Sequence, residues 1–223
     1  MKWLACIALV ALPAFAADAG VKPRVAAIYF RNNSASEDLG YFSKGLAALI
    51  TADLASSGRV VALERERLEE VLAEKKLGES KYADRASFGK LASILGVEYL
   101  VTGSITQVGK QTMLAVEIIH SDTHVVAGKK LKLDPDDVFP AVEQISSFAL
   151  DAATAAAAAK TPEKVETPAK PGKLPYATAL KYAKALDAKD KKNPAAAKAM
   201  LTEVVKEQPD FTLAQLDLLA LTR

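Results

Sequence analysis

The chain has 223 residues, half of them hydrophobic and a quarter charged, with 29 basic and 27 acidic side chains and a formal net charge of +2 at pH 7. So even a balance excludes nucleic acid or an anionic membrane as the main partner. The length, less an amino-terminal targeting segment, suits one domain of ordinary size with a small appendage.

Lys2, the apolar run Leu4 to Leu12 and Ala14-Phe15-Ala16 form the three parts of a cleavable secretory signal. The run is too short to span a bilayer, which takes roughly 20 residues. The only cysteine, Cys6, lies inside it rather than after it, against a lipoprotein signal. Cleavage after Ala16 is expected to leave a mature chain with neither disulfide nor lipid anchor, held by its core alone. Its 28 basic and 27 acidic groups divide unevenly: residues 17–159 carry 16 and 19, residues 160–223 carry 12 and 8.

Arg24 to Phe30 predicts a strand that is apolar on both faces, ended by the polar run Arg31 to Asp38, which reads as a surface loop. Phe42, Leu46, Leu49, Ile50 and Leu54 recur at amphipathic spacing and predict a helix stopping at Ser56-Ser57-Gly58. Arg59 to Leu63 is a short strand. Glu64 to Leu77 is a surface helix with Leu68, Val71 and Leu72 as its buried edge, closed by Gly78, and Asp84 caps the helix after it. There Phe88, Leu91, Ala92 and Leu95 share a face, and Gly96 supplies a left-handed terminus. Val97 to Thr102 is again apolar on both faces, which predicts the central strand of its sheet. The chain then turns at Gly109-Lys110, returns as Thr112 to Ile119, and turns at Ser121-Asp122-Thr123 into Val125 to Leu133, giving antiparallel neighbours. Pro135 and Pro140 lead into a last helix carrying Val142, Ile145 and Ala149. Strands and helices in this order predict an α/β fold, with a mixed parallel and antiparallel sheet flanked by helices.

Lys160 to Lys173, with Pro162, Pro168 and Pro171, reads as a semi-rigid linker. Beyond it, stripes at Tyr176, Leu180 and Ala183, at Ala197, Met200, Leu201 and Val204, and at Leu213, Leu216 and Leu219 predict three short helices. The expected organisation is thus a signal at 1–16, an α/β domain at 17–159, a linker at 160–173 and a helical tail at 174–223. A lone helical repeat buries too little to stand by itself, so the tail should dock on the α/β domain or on a partner. Tyr176, Leu201 and Leu216 are its candidate anchors for another protein. Arg31, Asn32 and Asn33 are candidates as well, because loops on rigid scaffolds carry recognition.

The enzymatic alternative rests on His120-Ser121-Asp122-Thr123-His124, where two imidazoles bracket a carboxylate as zinc chemistry would want. Turn residues between strands need no metal, however, and no third ligand is identifiable. Gly103 to Gln111 fails as a phosphate loop: five residues separate its glycines and its context is strand to strand. Ser34, Ser36, Ser56 and Ser57 lack a nucleophile elbow. No catalytic residue, metal or cofactor is expected.

The strand Val25 to Phe30, the asparagine loop, Gly58-Arg-Val-Val-Ala-Leu-Glu-Arg, Arg67-Leu-Glu-Glu-Val-Leu-Ala-Glu and above all Leu95-Gly-Val-Glu-Tyr-Leu-Val-Thr-Gly-Ser together resemble the periplasmic α/β domain of the CsgG-type curli-secretion family and the related TolB amino-terminal type, over roughly residues 22 to 155. The tail separately resembles a tetratricopeptide unit at Ala185, Ala197, Leu201 and Pro209, with Val204 departing from its usual small residue. The secretion channel is lipidated and adds long barrel-forming segments, whereas here the hairpin Tyr99 to Ile119 is required inside the domain's own sheet. The resemblance therefore implies a non-enzymatic periplasmic adaptor that binds envelope proteins in outer-membrane assembly or secretion. Peripheral association with the outer membrane and homo-oligomer formation are both compatible with it.

Overall fold

The computed structural model describes residues 21–74, 85–122, 125–155 and 172–222. The signal at 1–16, Gly78, Asp84, Thr123, His124 and the linker up to Pro171 lie outside the described residues.

Chain order builds the sheet first. β1 (Arg24–Ala27) is followed by the two-residue β2 (Arg31–Asn32), α1 (Glu37–Ser56), β3 (Val61–Ala62), α2 (Arg65–Glu74) and α3 (Arg85–Leu95). β4 (Tyr99–Val108), β5 (Gln111–His120) and β6 (Val125–Leu133) complete it, before α4 (Phe139–Thr154). The strand order is β3-β1-β4-β5-β6, with β1 parallel to β3 and β4, and with β5 antiparallel to both β4 and β6. The mixed α/β sheet read from the sequence is the one observed, and β4 is its central strand.

Burial explains that position. Tyr99, Leu100, Val101 and Thr102 are consecutive and all buried, as are Val25 to Phe30; neighbouring residues of a strand point to opposite faces, so both faces are covered where β1 meets β4. α1 and α4 pack together on one of them. The step β1–α1–β3 and the step β3–α2–α3–β4 travel in opposite directions across β1, so right-handed connections place α3 on the other face. Gly96 closes α3 at φ +64°, the left-handed region that costs a glycine nothing.

One loop expectation is corrected. Arg31 and Asn32 do not leave the sheet: they pair in parallel with Ser104 and Ile105. After β1 the chain stays beside β4, with Ile28 N–H donating to Val101 O and the pairing shifting by one residue between Ala27 opposite Val101 and Arg31 opposite Ser104, so the polar residues extend the sheet and the loop begins at Asn33.

The tail forms α5 (Tyr176–Asp190), α6 (Pro194–Glu207) and α7 (Thr212–Ala220). α5 and α6 pair as an antiparallel hairpin, with Asn193 capping α6 by accepting from the Ala196 amide at 3.1 Å and Pro194 at its first position. α5 lies along α1 as a further layer. Gly45, midway along α1, makes this possible: a Cβ there would fall 2.7 Å from the Ala183 Cβ. Phe42 and Tyr176 stack across the same seam, with ring centroids 4.8 Å apart.

Leu100 is fully buried in the central strand. Leu100→Ala should cost about 2–5 kcal/mol in urea melts, the range for a buried large-to-small change; a loss below about 0.5 kcal/mol, within the range of surface substitutions, would contradict a doubly covered β4.

Candidate functional site

The charged side chains that sequence periodicity leaves out of the core meet where the tail joins the α/β part. Lys44 of α1 reaches Asp187 at 2.8 Å and Asp190 at 3.5 Å, both on α5. Arg65, the first residue of α2, sends Nη1 to both carboxylate oxygens of Asp190, at 2.8 and 2.9 Å. Glu66 accepts from Lys189 at 3.0 Å, and Lys189 also donates to Asp217 of α7 at 2.9 Å. The Tyr182 hydroxyl donates to the other Asp217 oxygen at 2.8 Å. One chain of contacts thus runs from α1 through α5 and α2 to α7.

The core of this joint is largely dry. The Arg65 side chain is 6% exposed and that of Asp190 11%. Burial opposes the Arg65 charge, but the adjacent Asp190 carboxylate outweighs it and holds the guanidinium above its ordinary pKa. Burial likewise opposes the Asp187 carboxylate, yet hydrogen bonds from Lys191 and Lys44 bring its pKa below the ordinary value. Glu66 follows the same pattern through Lys189 and Arg65, and Lys189 is raised by Asp217 and Glu66 against the cost of its burial. Burial, then the Asp217 charge, pushes the Tyr182 phenol well above its usual range, so it remains a donor. Asp137 Oδ1 fastens the tail's entry by accepting from the amides of Phe139 and Leu174, each at 3.1 Å.

These residues are placed for structure, and sequence reading did not find them. Gly45 inside a helix was the available signal, since a glycine there costs stability unless a close approach requires it.

The residues singled out from sequence are distributed differently. Asn32 Oδ1 accepts from the Ser34 amide at 2.9 Å, and its Nδ2 donates to Ser36 O at 2.7 Å, so it shapes the turn into α1. Asn33 accepts from Arg31 Nε at 2.9 Å. Tyr176 is half-buried against Phe42. Leu201 is fully buried in the chain's own core, which absorbs it as a tail contact, whereas Leu216 on α7 is 58% exposed and has Leu219, also exposed, one turn on. His120 stacks edge-on against Tyr99 with centroids 5.0 Å apart, and its Nδ1 lies 3.2 Å from Asp122 Oδ2. His124 lies outside the described residues. Among the described residues no group of three or more His, Cys, Asp or Glu is placed to hold a metal ion.

The class of domain that this sheet defines is given by sequence. Residues 9–114 match the family model described as curli production assembly/transport component CsgG, so this part of the chain is similar to that family. Among solved structures, lipoprotein GNA1162 from Neisseria meningitidis is similar at 14% identity and a TM-score of 0.44, over 62% of this chain and 99% of that one. The LpoB C-terminal domain from Salmonella enterica is similar at 14% identity and a TM-score of 0.36, over 52% and 87%. TolB from Acinetobacter baumannii is similar at 16% and 0.41, over 60% of this chain and 29% of that one. No curated protein matches in sequence.

The depressed carboxylates fix how the joint responds to pH. Asp187 and Glu66 titrate lower when folded than unfolded, so the stability they add is present above their unfolded pKa values, about 3.9 and 4.3, and is lost as pH falls through the folded values. Raised Lys189 acts oppositely: its contribution is present below an unfolded pKa of about 10.4 and fades as pH rises through the folded value. Thermal melts should therefore be flat through neutrality and fall below about pH 4. Asp187→Asn should lower the plateau and flatten the acid limb; an unchanged acid limb would mean that the joint does not carry this dependence.

Proposed function

We propose that the chain is a non-enzymatic periplasmic adaptor or scaffold that binds other envelope proteins in outer-membrane assembly or secretion. The observation that carries this reading is the match of residues 9–114 to a component of an assembly and transport system. Consistent with it, the ion pairs of the joint are engaged in holding the tail to the α/β part, and no helix among the described residues is long and apolar enough to cross a membrane. In this proposal the chain is exported, cleaved after Ala16, and works from an α/β domain at 17–159, with 160–173 as linker and a tetratricopeptide-like tail at 174–223. α7 offers Leu216 and Leu219 to a partner, and Arg31 is exposed on β2.

Affinity purification from crosslinked envelopes tests it. The mature chain, beginning at Ala17 by mass spectrometry, should enrich the same envelope protein in replicate preparations, and Leu216→Glu with Leu219→Glu should remove it. Retained Met1, or no reproducible envelope protein, would reject the adaptor.

A second reading, a metal-dependent enzyme using His120, Asp122 and His124, is favoured by the contact between His120 and Asp122. Under the adaptor proposal, zinc calorimetry should show no micromolar site. Micromolar binding abolished by His120→Ala would replace the adaptor with the enzyme.

A further inference from the structure

The register of the sheet places a set of side chains together that are far apart in sequence. Arg31, Ser104, Ala115 and Lys130 form one row across β2, β4, β5 and β6, and Thr106, Met113 and Lys132 form a row on the same face. Between the first row and α3's end of the sheet stand Thr102, Glu117 and Gly128.

Among the described residues, cover on this face stops partway along. Leu100, Thr102 and Ile119 are buried there, whereas Ser104, Thr106, Met113 and Ala115 are only half-buried, and Arg31, Gly128, Lys130 and Lys132 are exposed. The opposite face is closed at the same level, where Ile105, Leu114 and Leu131 are buried and Lys129 lies over the Phe148 ring of α4. The half-face is therefore a shallow floor of Ser104, Thr106, Ala115 and Met113, bounded toward α3 by the half-buried Glu117, with Arg31 on one flank and Lys130 and Lys132 on the other.

Its width and charge select an occupant. Arg31 and Lys130 stand three strand spacings apart, about 14 Å, and an α-helix with its side chains is roughly 10–12 Å across. Ser104 and Ala115 at the centre of the floor are small and let a helix lie close. Cations on both flanks favour carboxylates on both flanks of that helix. Lysines on an edge strand also discourage edge-to-edge pairing, but that role does not account for Arg31 on the other side of the floor. A second copy of this chain would set cation against cation, and an anionic membrane would gain nothing from cations separated by a recess.

We propose that this half-face docks an acidic amphipathic helix of another envelope protein, laid along β4 and β5 with its carboxylates reaching Arg31 on one side and Lys130 and Lys132 on the other. The proposal rests on the adaptor reading and names the partner's chemistry.

The test titrates the full mature chain with a labelled synthetic helical peptide bearing glutamates along both flanks of an alanine and leucine stripe, read by fluorescence anisotropy. The control peptide has glutamine at those positions. The glutamate peptide should bind roughly tenfold more tightly than the glutamine one, the size that a few flanking ion pairs supply, and the advantage should shrink with added salt. Lys130→Glu with Lys132→Glu should abolish the preference and instead bind a lysine-flanked peptide. The milder pair Lys130→Gln and Lys132→Gln, checked for an unchanged melting temperature, should lose the preference alone. Equal affinity for the two peptides, or a preference that survives these variants, would overturn the proposal. So would binding to phosphatidylglycerol vesicles, or a dimer of the chain, that the same variants abolish. None of these outcomes bears on the envelope crosslinking, which tests the adaptor reading by itself.

Discussion

α1 is buried twice over, and the arrangement of the chain depends on it. Leu39, Phe42, Ser43, Gly45, Leu46, Ala47, Ala48, Leu49, Ile50 and Leu54 are all buried, too many for a helix that covers a sheet with one stripe. One side packs on the β-sheet and α4, and the other receives α5. A helix enclosed in this way cannot lose the tail without exposing a second apolar face. The tail is accordingly an outer layer of the fold in this structure, although its helices have apolar stripes of their own.

The ion pairs at the joint act on that contact by exclusion more than by attraction. Moving paired charges out of water costs roughly what their attraction returns, so Arg65 with Asp190 adds little net stability relative to an apolar pair. Separating them is a different matter, because an unpaired buried charge is expensive. A tail slid by one helical turn along α1 would separate Lys44 from Asp187 and Arg65 from Asp190 together. The seam of Gly45 and Ala183 permits close approach and tolerates many positions, while the charges single out one.

How much of this was legible follows from which forces are local. The central strand was, because Val25 to Phe30 are apolar at every position and Tyr99 to Thr102 are apolar or β-branched on both alternating sets, and only a strand covered on both faces can afford that. The helix end at Gly96 was legible for the same reason: the backbone condition is set within a few residues. The second face of α1 was not, since alanine and glycine carry too little apolar area to register as a stripe, and their meaning depends on a partner that lies more than a hundred residues away. Arg31 and Asn32 were read as loop because a polar pair breaks an apolar strand, yet their backbone amides and carbonyls still pair with β4, and pairing there is decided by register. Leu201 was read correctly as an apolar stripe residue, but the stripe faces inward, onto the chain's own core.

The open half-face has a geometric origin. β4 and β5 have ten residues each, close to 33 Å at the rise of a strand. α3 has eleven, only about 16 Å at the rise of a helix. α4, at sixteen residues, reaches about 24 Å and covers its own side further along. Among the described residues the hairpin therefore outruns its cover on the α3 side, and the residues past that limit change character in step: Leu100 and Thr102 give way to Ser104 and Thr106 on β4, and Ile119 gives way to Glu117, Ala115 and Met113 on β5. A sheet end left to water alone would be served by any polar residues. Ser104 and Ala115 at its middle, with cations on its two flanks, make it, in addition, a bed of one helix's width.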